Sequence, residues 1–223
     1  MATQVVNLQS LLTVSSSQRR RVTVTQLLLC ILFCGGAYGA VMGTFGGFTG
    51  EHPWQSIYSA VKVPILIVLS FALCLPFFFI LNTLIGLRDD FGDAVAALMR
   101  TQAVVTIALV ALAPYTAVWY ASTTKYEPAL LFNACIFAIA SFAGQSILRR
   151  MYRPWIDRNT RHRIMLRLWI VLYAFVGIQM GWVLRPFVGD PRYPVHFFRE
   201  GAFSNAYVVV GRLIWHVVTR TSR

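Results

Sequence analysis

The residues best suited to chemistry are the aspartates of the stretch Asp89-Asp90-Phe91-Gly92-Asp93, which fits the pattern DDxxD. Carboxylates at this spacing can bind Mg²⁺ that bridges a diphosphate, because hard cations prefer carboxylate oxygens. The stretch lies between two strongly apolar segments, so such a site would stand at a membrane edge and suit a polyprenyl substrate. Asp89, Asp90 and Asp93 are therefore weak candidates for metal ligands.

The same aspartates also have a structural interpretation, as residues at the start of a helix. Carboxylates at that position cap free N–H groups and suit the positive end of the helix dipole. Prenyl-transfer enzymes with paired aspartates usually carry a second acidic motif, whereas the other five acidic residues of this chain stand singly. The helix-start interpretation is favoured, and we expect neither a cofactor nor an enzyme activity.

A second candidate is the basic stretch 149–167, which is expected to be a loop, with His162 as a solvated polar group. Contact with anionic lipid headgroups is the first explanation, because each charge near the membrane surface contributes about 1 kcal/mol. A protein partner or a nucleotide phosphate is the alternative. The arginines assigned to lipid-headgroup or partner binding are Arg149, Arg150, Arg153, Arg158, Arg161 and Arg163.

Composition places these groups in an integral membrane protein. The chain has 223 residues, of which 57% are hydrophobic and 13% charged, and its mean hydropathy is +0.61. A soluble domain would be about 45–50% apolar and about 25% charged. The net charge of +12 is explained by topology and anionic headgroups, and no nucleic acid partner is expected. The four cysteines lie in apolar segments, which predicts packing rather than disulfides or metal ligation.

Five apolar segments are long enough to cross a bilayer as helices. The predicted fold class is all-α, an integral membrane bundle of five transmembrane helices followed by a C-terminal interfacial amphipathic helix. Residues 205–220 would span only about 24 Å, so a surface position is favoured and a sixth span is the alternative. The predicted units are an N-terminal tail (1–24), the bundle (25–184) and a turn-rich segment with the last helix (185–223). The predicted spans are 26–48, 63–87, 102–120, 128–148 and 164–184.

Glycines recur at every fourth position of the first span, and the helical period places them on one face, as in a glycine zipper. A face without side chains lets another helix approach closely, which is a common mode of association in lipid. The fifth span contains a second GxxxG, so the two helices predict a tight internal pair or a homodimer. The residues assigned to helix packing are Gly35, Gly39, Gly43, Gly47, Gly177 and Gly181.

Basic residues are distributed unequally between the two sides of the predicted bundle. Twelve arginines lie on the side of the N-terminus, whereas the short loops opposite contain only Lys62 and Lys125. The N-terminus is therefore expected to be cytoplasmic, in a bacterial-type inner membrane. Polar residues inside the spans are amides, which favours interhelical hydrogen bonds over ion transport. These amides are Asn82, Asn133, Gln145 and Gln179.

The connector 49–59 leads into the second span, where Pro64 is expected in the first turn and Pro76 in the middle. The stretch from Tyr58 to Leu66 at this entry is similar to the core entry of bacterial members of the Yip1-like family of small multipass proteins. The resemblance covers about residues 50–150 and extends to the five short-looped spans. It implies a scaffolding or partner-binding role within a membrane, without catalysis.

Three functions from different classes follow from these observations. The favoured one is a non-catalytic scaffold or accessory subunit of a membrane complex, associated with another membrane protein or with itself. The second is a membrane enzyme or carrier that handles a lipid phosphate through Asp89, Asp90, Asp93 and the basic stretch. The third is a passive oligomeric channel lined by the intramembrane amides.

Overall fold

The computed structural model describes residues 23–45, 47, 52–189 and 195–198. This part of the chain is all-helical, and five of its helices are long and apolar enough to cross a membrane, which confirms the predicted bundle. The amphipathic helix predicted at 205–220 and the tail up to residue 22 lie outside the described residues. The helices are α1 (Val24–Met42), α2 (His52–Ile85), α3 (Phe91–Ser122), α4 (Tyr126–Arg158) and α5 (Arg161–Val183), with a 3₁₀ turn (Arg88–Asp90) before α3.

The first helix is shorter than predicted. α1 ends at Met42, and Gly43 is its C-cap, so the predicted continuation to Phe48 is wrong. The Thr44 hydroxyl donates to the carbonyl of Val41 at 2.8 Å and helps to close the last turn. Gly47 then has φ +92°, a left-handed backbone conformation that glycine adopts without steric penalty.

The second helix begins earlier than predicted. α2 starts at His52, so most of the stretch predicted as an interfacial connector is helical. Pro53 lies in the first turn, where a missing N–H is harmless. Pro64 is therefore well inside the helix, as is Pro76, and the prediction that Pro64 occupies the first turn is wrong.

The basic stretch 149–167 is helical, and its prediction as a loop is wrong. α4 continues to Arg158 and α5 begins at Arg161, so a connection at Asn159 and Thr160 separates them. With 33 residues, α4 is about 50 Å long, and roughly 20 Å of it exceeds the hydrocarbon thickness of a bilayer. Arginine is a good helix former, so the helix continues into the polar region although the hydropathy falls.

The buried side chains form two cores. The first joins α1 to α2, α3 and α4. The second lies nearer the 3₁₀ turn and joins α2, α3, α4 and α5. Large buried members are Tyr38, Ile67, Leu109 and Ile136 in the first core, and Phe78, Leu98, Leu148 and Trp169 in the second.

A chain of hydrogen bonds crosses the first core through Asn133. The Tyr38 hydroxyl donates to Asn133 Oδ1 at 2.9 Å, and Asn133 Nδ2 donates to the Tyr120 hydroxyl at 2.5 Å. Tyr120 in turn donates to the carbonyl of Met42 at 3.1 Å. These bonds link α1, α3 and α4, which confirms the predicted interhelical role of this amide. Asn82, by contrast, bonds to a carbonyl of its own helix.

Candidate functional site

The basic end of the bundle is formed by the 3₁₀ turn, the start of α3, the end of α4 and the start of α5. The two-residue connection makes α5 turn back beside α4, which brings arginines of both helices together. They line an open groove of about 450 Å³. The lining residues are Arg149, Arg150, Arg153, Ile156 and Asp157 from α4, and Arg163 from α5.

Two of the six predicted arginines lie outside this groove. Arg161 donates from Nη1 to the carbonyl of Ile85 at 3.1 Å, and so fastens the start of α5 to the end of α2. Arg158 is exposed at the last position of α4. Of the six predicted arginines, four therefore line the groove, Arg161 joins two helices and Arg158 is exposed.

The groove is positively charged and unbalanced. Four guanidinium groups share the lining with a single carboxylate, that of Asp157. In the part of the chain that the structure describes, the one ion pair within 4 Å joins His162 to Asp90, so no carboxylate pairs with a groove arginine. Like charges gathered in this way repel one another and attract anions.

The three aspartates of the DDxxD stretch lie at the entry to α3. Asp89 and Asp90 belong to the 3₁₀ turn and Asp93 to the first turn of the helix, and all three are exposed. Asp90 occupies the N-cap position, but its side chain makes no capping hydrogen bond. Its Oδ2 lies 3.2 Å from Nε2 of His162 instead. Across the described ranges, no group of three or more His, Cys, Asp or Glu side chains is placed to hold a metal.

His162 is buried, with 4% of its surface exposed, and the prediction that it is solvated is wrong. Its ring lies against those of Tyr152 and Trp155, at centroid distances of 6.4 Å and 6.0 Å. The short turn between α4 and α5 folds this side chain inward, where its Nε2 reaches Asp90. His162 therefore connects the start of α5 to the turn between α2 and α3.

A polar face on the first half of α2 was not predicted. Gln55, Ser59 and Lys62 are four and three residues apart, which places them on one side of the helix. Each is at most 1% exposed. A segment that follows α5, Leu184–Gly189, covers this face, and its Val188 is fully buried.

The three side chains bind the backbone of that segment. Lys62 Nζ donates to the carbonyl of Pro186 at 2.7 Å. Gln55 Nε2 donates to the carbonyl of Phe187 at 3.0 Å, and the Ser59 hydroxyl donates to the same carbonyl. Two carbonyls that no helix satisfies are thereby paired, and the segment is fixed against α2.

Lys62 lies inside the bundle, and the prediction that it belongs to a short loop is wrong. The neighbouring α1 residues are Gly39, which is level with Ser59, and Gly35, which is level with Pro64. This places Lys62 roughly 5–10 Å inside the end of α1. Its ammonium lies 4.9 Å from the centroid of the Phe197 ring, a cation–π contact.

The helical spacing of this polar face was visible in the sequence. The sequence predicts a connector at residues 49–59, and a spacing of three or four residues places side chains on one face only within a helix. Ionisable side chains within a membrane span are rare and need partners. For Lys62 the partners described are a carbonyl and a ring, and no described carboxylate lies within 4 Å of it.

Gly39 and Gly43 lie directly against the backbone of α2. A Cβ on Gly39 would stand 2.9 Å from Cα of Ala60 and nearer still to the carbonyl of Ser59. A Cβ on Gly43 would stand 2.7 Å from the carbonyl oxygen of Gln55. Real Cβ atoms essentially never come within 3.0 Å of another heavy atom, so α1 and α2 approach more closely here than any side chain allows.

The other assigned glycines have more space. A Cβ on Gly35 would make an ordinary contact of 3.4 Å with the ring of Pro64, and Gly47 lies beyond the end of α1. For Gly177 and Gly181 of α5, no described atom lies within 4 Å of the Cβ position. The glycines of α5 therefore do not pack against those of α1 as an internal pair.

Comparison with known proteins found no match for this chain: no protein family, no curated protein and no solved structure is significantly similar to it. The resemblance of the stretch from Tyr58 to Leu66 to the Yip1-like family stays a prediction. Function is accordingly inferred from the geometry of the two polar clusters and of the helix surfaces.

Proposed function

We propose that the chain is a non-catalytic scaffold or accessory subunit of a membrane complex, which binds its partner through the outward face of α5. The observation that supports this proposal is the open space at Gly177 and Gly181. On the adjoining side of the helix, the large apolar side chains of Val171 and Ile178 are exposed. Small residues beside large ones form a groove that a second transmembrane helix can enter closely.

The packing of α5 is consistent with a helix that has a second neighbour. In the most apolar window of α5, 17% of the residues are buried, against 50% for α3. Its described contacts are mainly with α2 and α4, and Tyr173 also donates a hydrogen bond to Gln102 of α3 at 2.6 Å. Association in lipid depends on van der Waals contact rather than on the hydrophobic effect, so a smooth outward face is a surface where such contact can form.

The test replaces both glycines of α5 with leucine. Wild type and the Gly177→Leu/Gly181→Leu variant are purified in mild detergent, and the mass of the complex is measured by native mass spectrometry. We expect wild type to carry a stoichiometric partner, either a second copy or another subunit, and the variant to be a monomer. Gly92→Leu is the matched control, because it also fills an open Cβ position on a helix, at the start of α3.

Two results would contradict the proposal. One is a monomeric wild type without a stoichiometric partner. The other is a variant that retains the wild-type partner in the same ratio. Far-UV circular dichroism verifies that the variant is folded, and no change in helicity is expected because no described atom lies within 4 Å of the Cβ position at either glycine.

The proposal also assigns an orientation, with the basic end on the cytoplasmic side of a bacterial-type inner membrane. Arginine and lysine accumulate on that side of inner-membrane proteins. In a cysteine-free background, Arg158→Cys should be protected from an impermeant maleimide added outside, and Lys125→Cys should react. The reverse pattern of labelling would contradict the assigned orientation.

A further inference from the structure

A different surface, the arginine groove of the basic end, carries an inference that goes beyond the proposed scaffold function. We infer that this groove binds the phosphomonoester headgroup of an anionic membrane lipid. The inference depends on the level of the groove relative to the bilayer, on its unpaired arginines and on its rigid support.

The lengths of two helices place the groove at headgroup level. Arg149 lies 23 positions after Tyr126, the first residue of α4, which corresponds to about 35 Å of helix. α5 begins at Arg161, directly after the connection from α4, so Arg163 lies on the same side of the bilayer and about 10 Å farther out than Arg149. The hydrocarbon core is about 30 Å thick, so the groove arginines of both helices lie outside it, at the level of the headgroups.

The chemistry of the lining matches a phosphomonoester. A guanidinium group presents a planar fork of donors that binds phosphate oxygens in pairs, and it stays charged at any physiological pH. A monoester offers three terminal oxygens and up to two negative charges, whereas a phosphodiester offers two oxygens and one charge. Four arginines against one aspartate suit the more highly charged group.

The apolar surface beside the groove favours a lipid over a free anion. Ile156 forms part of the lining. Ile164 and Leu168, which follow Arg163 along α5, are exposed apolar side chains. A headgroup bound between the arginines would therefore have apolar helix surface beneath it for its acyl chains.

The groove is also held in shape before any ligand arrives. Its α4 arginines lie beside Leu148 and Tyr152, which are buried in the second core. On α5, Met165 and Leu166 are buried in the same core, just after Arg163. Because both helices are anchored in this core, the four guanidinium groups are positioned without a further ordering of the backbone.

The test measures binding of a soluble phosphomonoester lipid to the full chain. The protein is placed in nanodiscs of phosphatidylcholine and titrated calorimetrically with short-chain phosphatidate. Phosphatidylglycerol of the same chain length and inorganic phosphate are titrated separately. We expect phosphatidate to bind at least about tenfold more tightly than either, since one charge-assisted contact corresponds to about a tenfold change in affinity.

Variants distinguish the groove from a general basic surface. Arg153→Gln/Arg163→Gln removes one groove arginine from each helix and should weaken phosphatidate binding about 100-fold. Arg158→Gln removes one positive charge outside the groove and should change the affinity for phosphatidate less than about twofold. Arg153→Lys/Arg163→Lys retains the charge but loses the fork, and should weaken binding about tenfold.

Several outcomes would overturn the inference. Equal affinity for phosphatidylglycerol would show a diffuse basic surface, and equal affinity for inorganic phosphate would show a site for a free anion. An equal loss in Arg158→Gln would show that total charge alone determines binding. Unaltered binding in the lysine variant would show that the guanidinium forks are not used. Arg163, the groove arginine on α5, lies 14 positions before Gly177, or about 21 Å along the helix. Failure here therefore leaves the test of the scaffold function unaffected.

Discussion

The close contact between α1 and α2 predicts that the same substitution, glycine to alanine, has opposite effects on stability at two positions. Gly39→Ala should destabilise the protein, whereas Gly177→Ala should stabilise it. Both glycines lie within helices and both substitutions add one methyl group. The two positions differ in their surroundings, because the new Cβ meets the backbone of α2 in one case and open space in the other.

The magnitudes follow from the two effects of the methyl group. Replacing glycine by alanine inside a helix stabilises it by about 1 kcal/mol. At Gly39 the new Cβ lies 2.9 Å from Cα of Ala60, and backbone atoms cannot move aside as the end of a flexible side chain can. Overpacking of this kind costs about 3 kcal/mol at the upper end of its usual range. The net expectation is a loss of about 2 kcal/mol at Gly39 and a gain of about 1 kcal/mol at Gly177.

The assay is unfolding in mixed micelles of a mild detergent and dodecyl sulfate, followed by tryptophan fluorescence at a dilution where the chain is monomeric. Gly36→Ala is a further control on α1 itself. Its Cβ would make a contact of 3.4 Å with the carbonyl oxygen of Ala60, which is ordinary van der Waals distance. We expect its free energy of unfolding to lie between those of the other two variants.

One result would refute the reasoning. If Gly39→Ala were as stable as Gly177→Ala, the close approach of α1 and α2 would not exist in the folded protein. A loss at Gly36 as large as that at Gly39 would show that the whole face of α1, rather than the point of closest approach, limits the size of the side chain. The ranking of the three variants is therefore as informative as any single value.

Two further predictions concern the polar clusters. Lys62→Ala removes the charged donor that holds the segment after α5, so cleavage by chymotrypsin after Phe187 should become about tenfold faster or more. The control is Lys125→Ala, which removes an exposed lysine at the same end of the bundle and should leave the cleavage rate unchanged. Equal cleavage rates in the two variants would contradict the role of Lys62. At the basic end, Asp90→Asn should lower the free energy of unfolding by only about 0.5 kcal/mol, because the side chain of Asp90 is 51% exposed. His162→Ala should lower it by about 2 kcal/mol or more, because a buried ring is lost, and similar values for the two would contradict this assignment.

The sequence predicted the number and order of the spans, because hydropathy measures the property that a bilayer selects. It predicted the helix ends poorly. The end of α4 at Arg158 and the start of α5 at Arg161 lie in polar surroundings, where a helix no longer needs apolar residues and hydropathy gives no signal. The start of α2 at His52 was missed for another reason, since aromatic residues and a proline near an interface suggest a connector as readily as a first turn.

The candidate sites were predictable only in part. The arginines of the groove were named from their type, but their division into groove and structural residues depends on the turn between α4 and α5, which brings Arg163 to the end of α4. The inward position of His162 depends on the same turn. Lys62 could not be assigned a partner, because the carbonyl of Pro186 lies 124 positions away and no local pattern links the two.

That separation has a consequence for the synthesis of the protein in the membrane. The polar face of α2 enters the bilayer long before the segment that covers it has been translated. At about 5–20 residues per second, the 124 positions between Lys62 and Pro186 correspond to roughly 6–25 s. During that interval Gln55, Ser59 and Lys62 have no carbonyl of this segment to bind, and an uncovered ammonium is unfavourable in lipid. The second helix should therefore remain beside the insertion machinery until the fifth has entered, so the bundle is completed from its C-terminal side.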